Sequence, residues 1–336
     1  MSDWAKVEPY LRRIARMDDV TEDHLLKLRS QGGSGNLEAA ATPLTDEALD
    51  SWRRFRTGAS LSQDDKRTLE AIVLPNGLRP VFDIQNDSFS DLPDPWQPLN
   101  NHRAFLEQCI RGIGRINVPG HARLQYAGTG FVVGDNLLLT NRHVAELFCQ
   151  TGGSQLAFTP GISPNVDVKQ EVNGSTSIVI KLTAPILILS DWDAALLRTS
   201  ELPAGVLPLK LLARPPEMLS GRTATIVGYP ALDTRGGTEE ILQQIQIFRA
   251  VFDKKRLQPG RVIGMKQTAS FGKNVNALAH DCSTLGGNSG STLIDVEAET
   301  VLGLHFEGYY LVANYAVPSW QLAANRRLRD EGVLFM

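Results

Sequence analysis

Gly286-Gly287-Asn288-Ser289-Gly290-Ser291 leads straight into the apolar run Thr292-Leu293-Ile294, which puts a serine on a tight glycine turn at the mouth of a strand. Flanking glycines allow backbone conformations closed to other residues and leave bare amide groups where a carbonyl oxygen can approach. Upstream, Phe131-Val132-Val133-Gly134-Asp135-Asn136-Leu137-Leu138-Leu139-Thr140-Asn141-Arg142-His143 reads as a hairpin with an Asp-Asn turn, ending at a histidine. Between the two, Asp193-Ala194-Ala195-Leu196-Leu197 sets a carboxylate at the head of an apolar strand. Acyl transfer through a serine needs a nucleophile, a base to take its proton and an acid to hold that base in one tautomer. Ser289, His143 and Asp193 are the candidates. Asp191, the rival carboxylate, does not directly precede the apolar pattern and is expected in solvent.

The chain order His, Asp, Ser is one in which such triads occur. Thr140-Asn141-Arg142-His143, the Asp193 strand and the Gly287-Asn288-Ser289-Gly290 turn together resemble trypsin-like (chymotrypsin-fold) serine peptidases. Val227-Gly228-Tyr229-Pro230 and Val301-Leu302-Gly303-Leu304-His305 resemble second-barrel strands of bacterial members. The resemblance covers residues 113–325, and three motifs in the right order are far more specific than any one alone. It implies a mainly β fold of two antiparallel β-barrels of the chymotrypsin/trypsin type, divided near residue 205, and an endopeptidase acting on protein or peptide substrates.

By that resemblance Ser289 attacks a peptide carbonyl, His143 takes its proton and Asp193 steadies the imidazolium. The backbone N–H groups of Gly287 and Ser289 form the oxyanion hole. Zymogen members carry an acid just before the serine to receive a new N-terminal ammonium; here that position is Asn288. A neutral amide cannot offset a buried ammonium, so activation by that route is not expected. Asn288 resembles the bacterial branch that includes glutamyl endopeptidases. Ser283 stands where members specific for Arg or Lys hold an acid, which disfavours basic specificity. Thr284 and His305 resemble the threonine and histidine that bind a substrate carboxylate, although Glu307 would repel an acidic substrate if it faces the cleft, and Asp281 would do so if the loop register differed. Two other functions are compatible with the same residues: a non-catalytic trypsin-like binding or adaptor module, and an esterase using the same triad.

The chain has 336 residues, 42% of them apolar, enough for a large core and two or three folding units. A formal charge of -3 argues against a dedicated nucleic-acid binder, and the basic clusters Lys254-Lys255-Arg256 and Arg326-Arg327-Leu328-Arg329 are expected in solvated loops or helix faces. Met1-Ser2-Asp3-Trp4-Ala5-Lys6-Val7-Glu8 carries charge where a secretory signal needs an apolar stretch, and no later run has the length of a membrane helix. The expectation is a cytoplasmic protein with no membrane partner. Cys109, Cys149 and Cys282 are widely spaced and odd in number, as reduced thiols would be, with Cys282 a small apolar packing residue. No metal-ligand spacing exists among the histidines and cysteines, so neither metal nor cofactor is expected.

Residues 1–75 carry apolar residues at helical spacing, among them Leu11, Ile14, Ala48, Trp52, Leu69 and Ile72, with N-caps at Thr21, Thr45 and Ser62 and a loop at 32–35. A helical N-terminal domain is expected there, a candidate regulatory module that binds a protein partner. Residues 76–112 read as a connector with one strand at 79–85 and a helix capped by Asn101. From residue 113 onward short β runs dominate, including 113–118, 177–182, 186–189, 224–227, 301–305 and 311–316. A helix at 319–326 closes the domain and 326–336 form a C-terminal tail.

Overall fold

In the computed structural model of this protein the described residues are 79–150, 156–233, 247–309 and 313–336, with scattered positions between 50 and 60 and between 241 and 245. The expected N-terminal helical domain, with Thr21, Thr45, Ser62 and the 32–35 loop, lies outside the described residues apart from those scattered positions.

The described residues are mainly β. After a short strand β1 (Phe82–Asp83), a 3-10 turn (Gln97–His102) and helix α1 (Arg103–Arg111) lead into a closed antiparallel barrel. Its strands are β2 (Ile113–Asn117), β3 (Tyr126–Gly134), β4 (Leu137–Thr140), β7 (Asn165–Asp167), β8 (Val179–Ile188) and β9 (Ala195–Thr199), hydrogen-bonded in the order β2-β3-β4-β9-β8-β7. The small strands β5 (Cys149–Gln150) and β6 (Ala157–Phe158) pair beside it. Inward residues such as Ile116, Val132, Leu138, Val166, Ile180 and Leu197 are buried together with Val144 and Phe148. β8 fuses the two expected runs at 177–182 and 186–189. Pro185 sits inside it because the register shifts at Leu182/Ala184 and Pro185/Leu187 relieve the ladder there, and across them the buried positions change phase from Ile180 and Leu182 to Pro185 and Leu187.

The second unit is a seven-stranded sheet in the order β1-β11-β10-β13-β14-β15-β12, in which β12 also pairs with β11. Its strands after β1 are β10 (Thr223–Gly228), β11 (Arg256–Ser270), β12 (Lys273–His280), β13 (Thr292–Asp295), β14 (Thr300–Tyr309) and β15 (Ala313–Pro318). Cys282 packs with Ala224, Ile226, Val262 and Leu293 inside this unit, in the packing role expected of it.

Four expectations change. Asn101 does not cap α1: the N-cap is His102 with no side-chain bond, and the neighbouring Asn100 instead exchanges two hydrogen bonds with the Leu92 backbone. The Lys254-Lys255-Arg256 cluster is not solvated. Lys255 and Arg256 are fully buried, Lys255 Nζ donating to the carbonyls of Ile110 and Val168, and Arg256 to those of Phe248 and Val251, because these cations satisfy backbone acceptors where loops converge. The closing helix is two, α3 (Ser319–Ala324) and α4 (Arg326–Asp330): Asn325 is extended and its side chain caps the second. Residues 326–336, expected as a tail, are held by backbone bonds from Leu334 to Val133 and between Met336 and both Leu211 and Ala213.

Candidate active site

Thr140 ends β4, and Asn141 stays extended before the single helical turn α2 (Arg142–Ala145), which carries His143. Asn141 Nδ2 donates to the Asp193 carbonyl at 2.9 Å, joining the two loops. The Asp193 carboxylate uses both oxygens on one residue: Oδ1 accepts from the His143 backbone N–H at 3.0 Å and Oδ2 faces His143 Nδ1 at 2.6 Å. The acid is buried, with 4% of its side chain exposed, while the imidazole is 38% exposed. With Nδ1 donating to the carboxylate, Nε2 is left as the acceptor, directed away from the acid. Asp191 is 80% exposed, as expected.

The serine turn docks on the first barrel through Thr129 of β3. Thr129 N donates to the Ser289 carbonyl at 2.8 Å, Thr129 Oγ1 donates to the Gly287 carbonyl at 2.8 Å, and Thr140 Oγ1 donates to the Thr129 carbonyl at 2.7 Å. Next to them, a Cβ on Gly128 would lie 2.8 Å from the Ser289 carbonyl and 3.0 Å from the Val144 side chain. The structure thus brings the Ser289 turn and the turn that carries His143 together at β3. On its far side the turn is bracketed by His305, whose carbonyl accepts from Gly290 N and whose N–H donates to the Ser291 carbonyl, both at 2.9 Å.

Gly287 and Gly290 have φ of +83° and +89°. A Cβ on Gly287 would lie 2.3 Å from the Tyr229 carbonyl, and one on Gly290 would lie 1.9 Å from the Thr129 carbonyl. Both positions therefore need glycine for conformation and for space. The N–H groups of Gly287 and Ser289 donate to no acceptor among the described residues, which leaves them open to an oxyanion. Asn288 is fully buried and exchanges two amide hydrogen bonds with the equally buried Gln258, at 3.1 and 3.0 Å. The turn's neutral residue is thus satisfied from within, with no ammonium required.

Around the expected pocket, Ser283 Oγ donates to the Arg79 carbonyl at 2.6 Å and Thr284 Oγ1 to Asn314 Oδ1 at 2.7 Å. Asn314, opposite Gly308 in the β14–β15 register, also donates to the Cys282 carbonyl at 2.7 Å. His305 Nδ1 faces His280 Nε2 at 3.2 Å, with the rings edge to face at 5.3 Å. Burial, then the neighbouring His280 and His143, holds the His305 pKa well below the usual imidazole range. Asp281 is held by Arg79, and Glu307 Oε2 accepts from Thr268 at 3.4 Å. Sequence spacing gave no signal for Gln258, His280 or Asn314, which reach the site through strand pairing alone.

No group of three or more His, Cys, Asp or Glu able to hold a metal occurs among the described residues, and no helix among them is long and apolar enough to cross a membrane.

Residues 128–304 match the family model of the trypsin-like peptidase domain. Over 295 residues, 78% of this chain and 75% of the relative, the sequence is 28% identical to a probable serine protease of Lysobacter enzymogenes. Among solved structures, the active form of the Rv3671c protease from M. tuberculosis is similar at 19% identity and a TM-score of 0.47, covering 75% of this chain and 93% of that one. Deg5 is similar at 18% identity and a TM-score of 0.48, covering 71% and 97%.

Proposed function

We propose, for a chain that belongs to the trypsin-like peptidase family and is a serine endopeptidase, that Ser289, His143 and Asp193 are its catalytic triad. The observation that carries this is the two-point grip of Asp193 on His143, with the serine turn docked on the adjacent strand through Thr129. In the reaction His143 Nε2 takes the Ser289 Oγ proton as the Oγ–carbon bond forms, and the N–H groups of Gly287 and Ser289 receive the negative oxygen. The same proton then passes to the leaving amine as the C–N bond breaks, and water resolves the acyl-enzyme by the reverse pattern. The substrate adds as a strand beside 304–308, and the second unit, whose β12 pairs with both β15 and β11, acts as the second barrel.

The pocket proposal is an acidic residue before the cut. Thr284, Asn314 and His305 offer neutral polar groups, and Asp281 is neutralised by Arg79. A substrate carboxylate beside His305 would favour its protonated form, with His280 Nε2 placed to share the charge. Regulation by a protein partner through residues 1–75 and a cytoplasmic setting belong to the same proposal; the latter is supported by three buried, unpaired cysteines.

A peptide library varied before the cut, run with wild type and Ser289→Ala at several pH values, tests this. Wild type should cut, Ser289→Ala should not, and the preference for Glu or Asp over Gln should grow as pH falls from 8 to 5.5. Cutting by Ser289→Ala would refute the triad, and a flat or basic preference would refute the acidic pocket.

A further inference from the structure

The candidate pocket wall, residues 281–284, is pinned at four consecutive residues, and two of the pins come from Arg79, outside the barrels. Arg79 Nε and Nη2 grip Asp281 Oδ1 and Oδ2 at 2.7 and 2.9 Å, while the Arg79 carbonyl accepts from Ser283 Oγ at 2.6 Å. The other two pins come from Asn314 of β15, on the Cys282 carbonyl and on Thr284. We infer that Arg79 is a positioning residue for the substrate pocket: the segment that precedes β1 supplies half of the bonds that hold the pocket wall. The inference rests on the peptidase reading and names a control point for that site.

The geometry favours this over a role in stability alone. The Arg79 and Asp281 side chains are 3% and 0% exposed, and removing two charges from water costs about what their attraction returns, so a buried pair is weak evidence for stability. What a bidentate fork adds is direction, since it fixes both the position and the plane of the carboxylate. Asp281 also accepts from Arg261 N at 2.7 Å, and a Cβ on Gly260 would lie 2.6 Å from Cys282 N, so the strand beneath leaves the segment little room to settle elsewhere. The Arg79 guanidinium lies 5.3 Å from the centroid of Trp96, which is itself buried, so the connector holds the arginine in place. Thr284 is five residues before Ser289.

The test uses the full chain with Arg79→Met, Arg79→Lys and the double variant Arg79→Met with Asp281→Leu. Each is assayed for peptide kcat/KM, for labelling of Ser289 by a small fluorophosphonate that needs no pocket, and for amide hydrogen exchange. Arg79→Met should lower kcat/KM by about 10²-fold, chiefly through KM, with labelling within about threefold of wild type. Arg79→Lys keeps the charge without the fork and should recover only part of the activity. Exchange at 282–287 should speed up in Arg79→Met, while exchange around 143 and 193 should not. The double variant removes the stranded charge, so it folds even where Arg79→Met does not, and it should still lack pocket activity. Wild-type activity in the double variant, an equal loss of labelling and hydrolysis in Arg79→Met, or unchanged exchange at 282–287 would each overturn the inference. Should wild type neither cut peptides nor take the label, the peptidase reading fails, and the exchange measurement still decides whether Arg79 orders the wall.

Discussion

Asp193 commits each carboxylate oxygen to a different group of His143, so the imidazole is fixed in orientation by the backbone bond and in tautomer by the ring bond. Asp193→Asn keeps the shape but presents an amide that can stabilise the other tautomer, and kcat should fall by about 10⁴-fold with little change in fold. Steady-state hydrolysis together with a thermal melt checks both halves of that expectation. Gly290 gives the complementary case. A methyl group there would lie 1.9 Å from the Thr129 carbonyl at a φ of +89°. Gly290→Ala should therefore cost about 2–5 kcal/mol of stability by urea unfolding, from strain and overpacking together. Asp193 and Gly290 both lie in motifs readable in the sequence, because their roles are set by local backbone and by direct neighbours. Gln258 and Asn314 are illegible there: each is an ordinary amide on a strand, given meaning only by a partner 30 residues away.

Among the elements, Lys255 joins the end of α1 to the loop after β7, its ammonium donating to Ile110 and Val168 carbonyls with no solvent contact. Burial lowers its pKa to about 8, with nearby Glu171, Asp87 and Asp167 opposing that shift and Lys169 adding to it. A lysine depressed in the native state binds its proton more weakly than the unfolded chain does. Between the native value and 10.5 the unfolded state therefore holds the extra proton, and stability rises with pH. Lys255→Met abolishes that rise, about 1.4 kcal/mol per pH unit at most, and strands two carbonyls. Urea unfolding at pH 7.5, 8.5 and 9.5 should show the gap between wild type and variant widening with pH; a constant gap would contradict it. This burial was hidden in the sequence because three adjacent cations look like a solvated loop whenever the acceptors are carbonyls from distant segments. β8 was hidden in part for the opposite reason: Pro185 is a strong local stop signal, and only the two register shifts around it let one strand pass through.

For the molecule as a whole, the serine and the base come from different units, and β3 with Thr129 and Gly128 is where they meet. The order of the three motifs was legible because strand ends and glycine turns have strong local signatures. The first barrel was expected from the family resemblance that the three motifs carry, whereas the extent of the second sheet depends on pairings such as β1 with β11, in which Phe82 and Asp83 meet Leu257 and Arg256 from the far end of the chain. Labelling the intact protein with a fluorophosphonate, followed by mapping of the modified residue, tests the assignment of the triad most directly. Wild type should carry one adduct, on Ser289; Ser289→Ala should carry none, and His143→Ala should react far more slowly. An adduct on another residue, or equal labelling of His143→Ala and wild type, would contradict it.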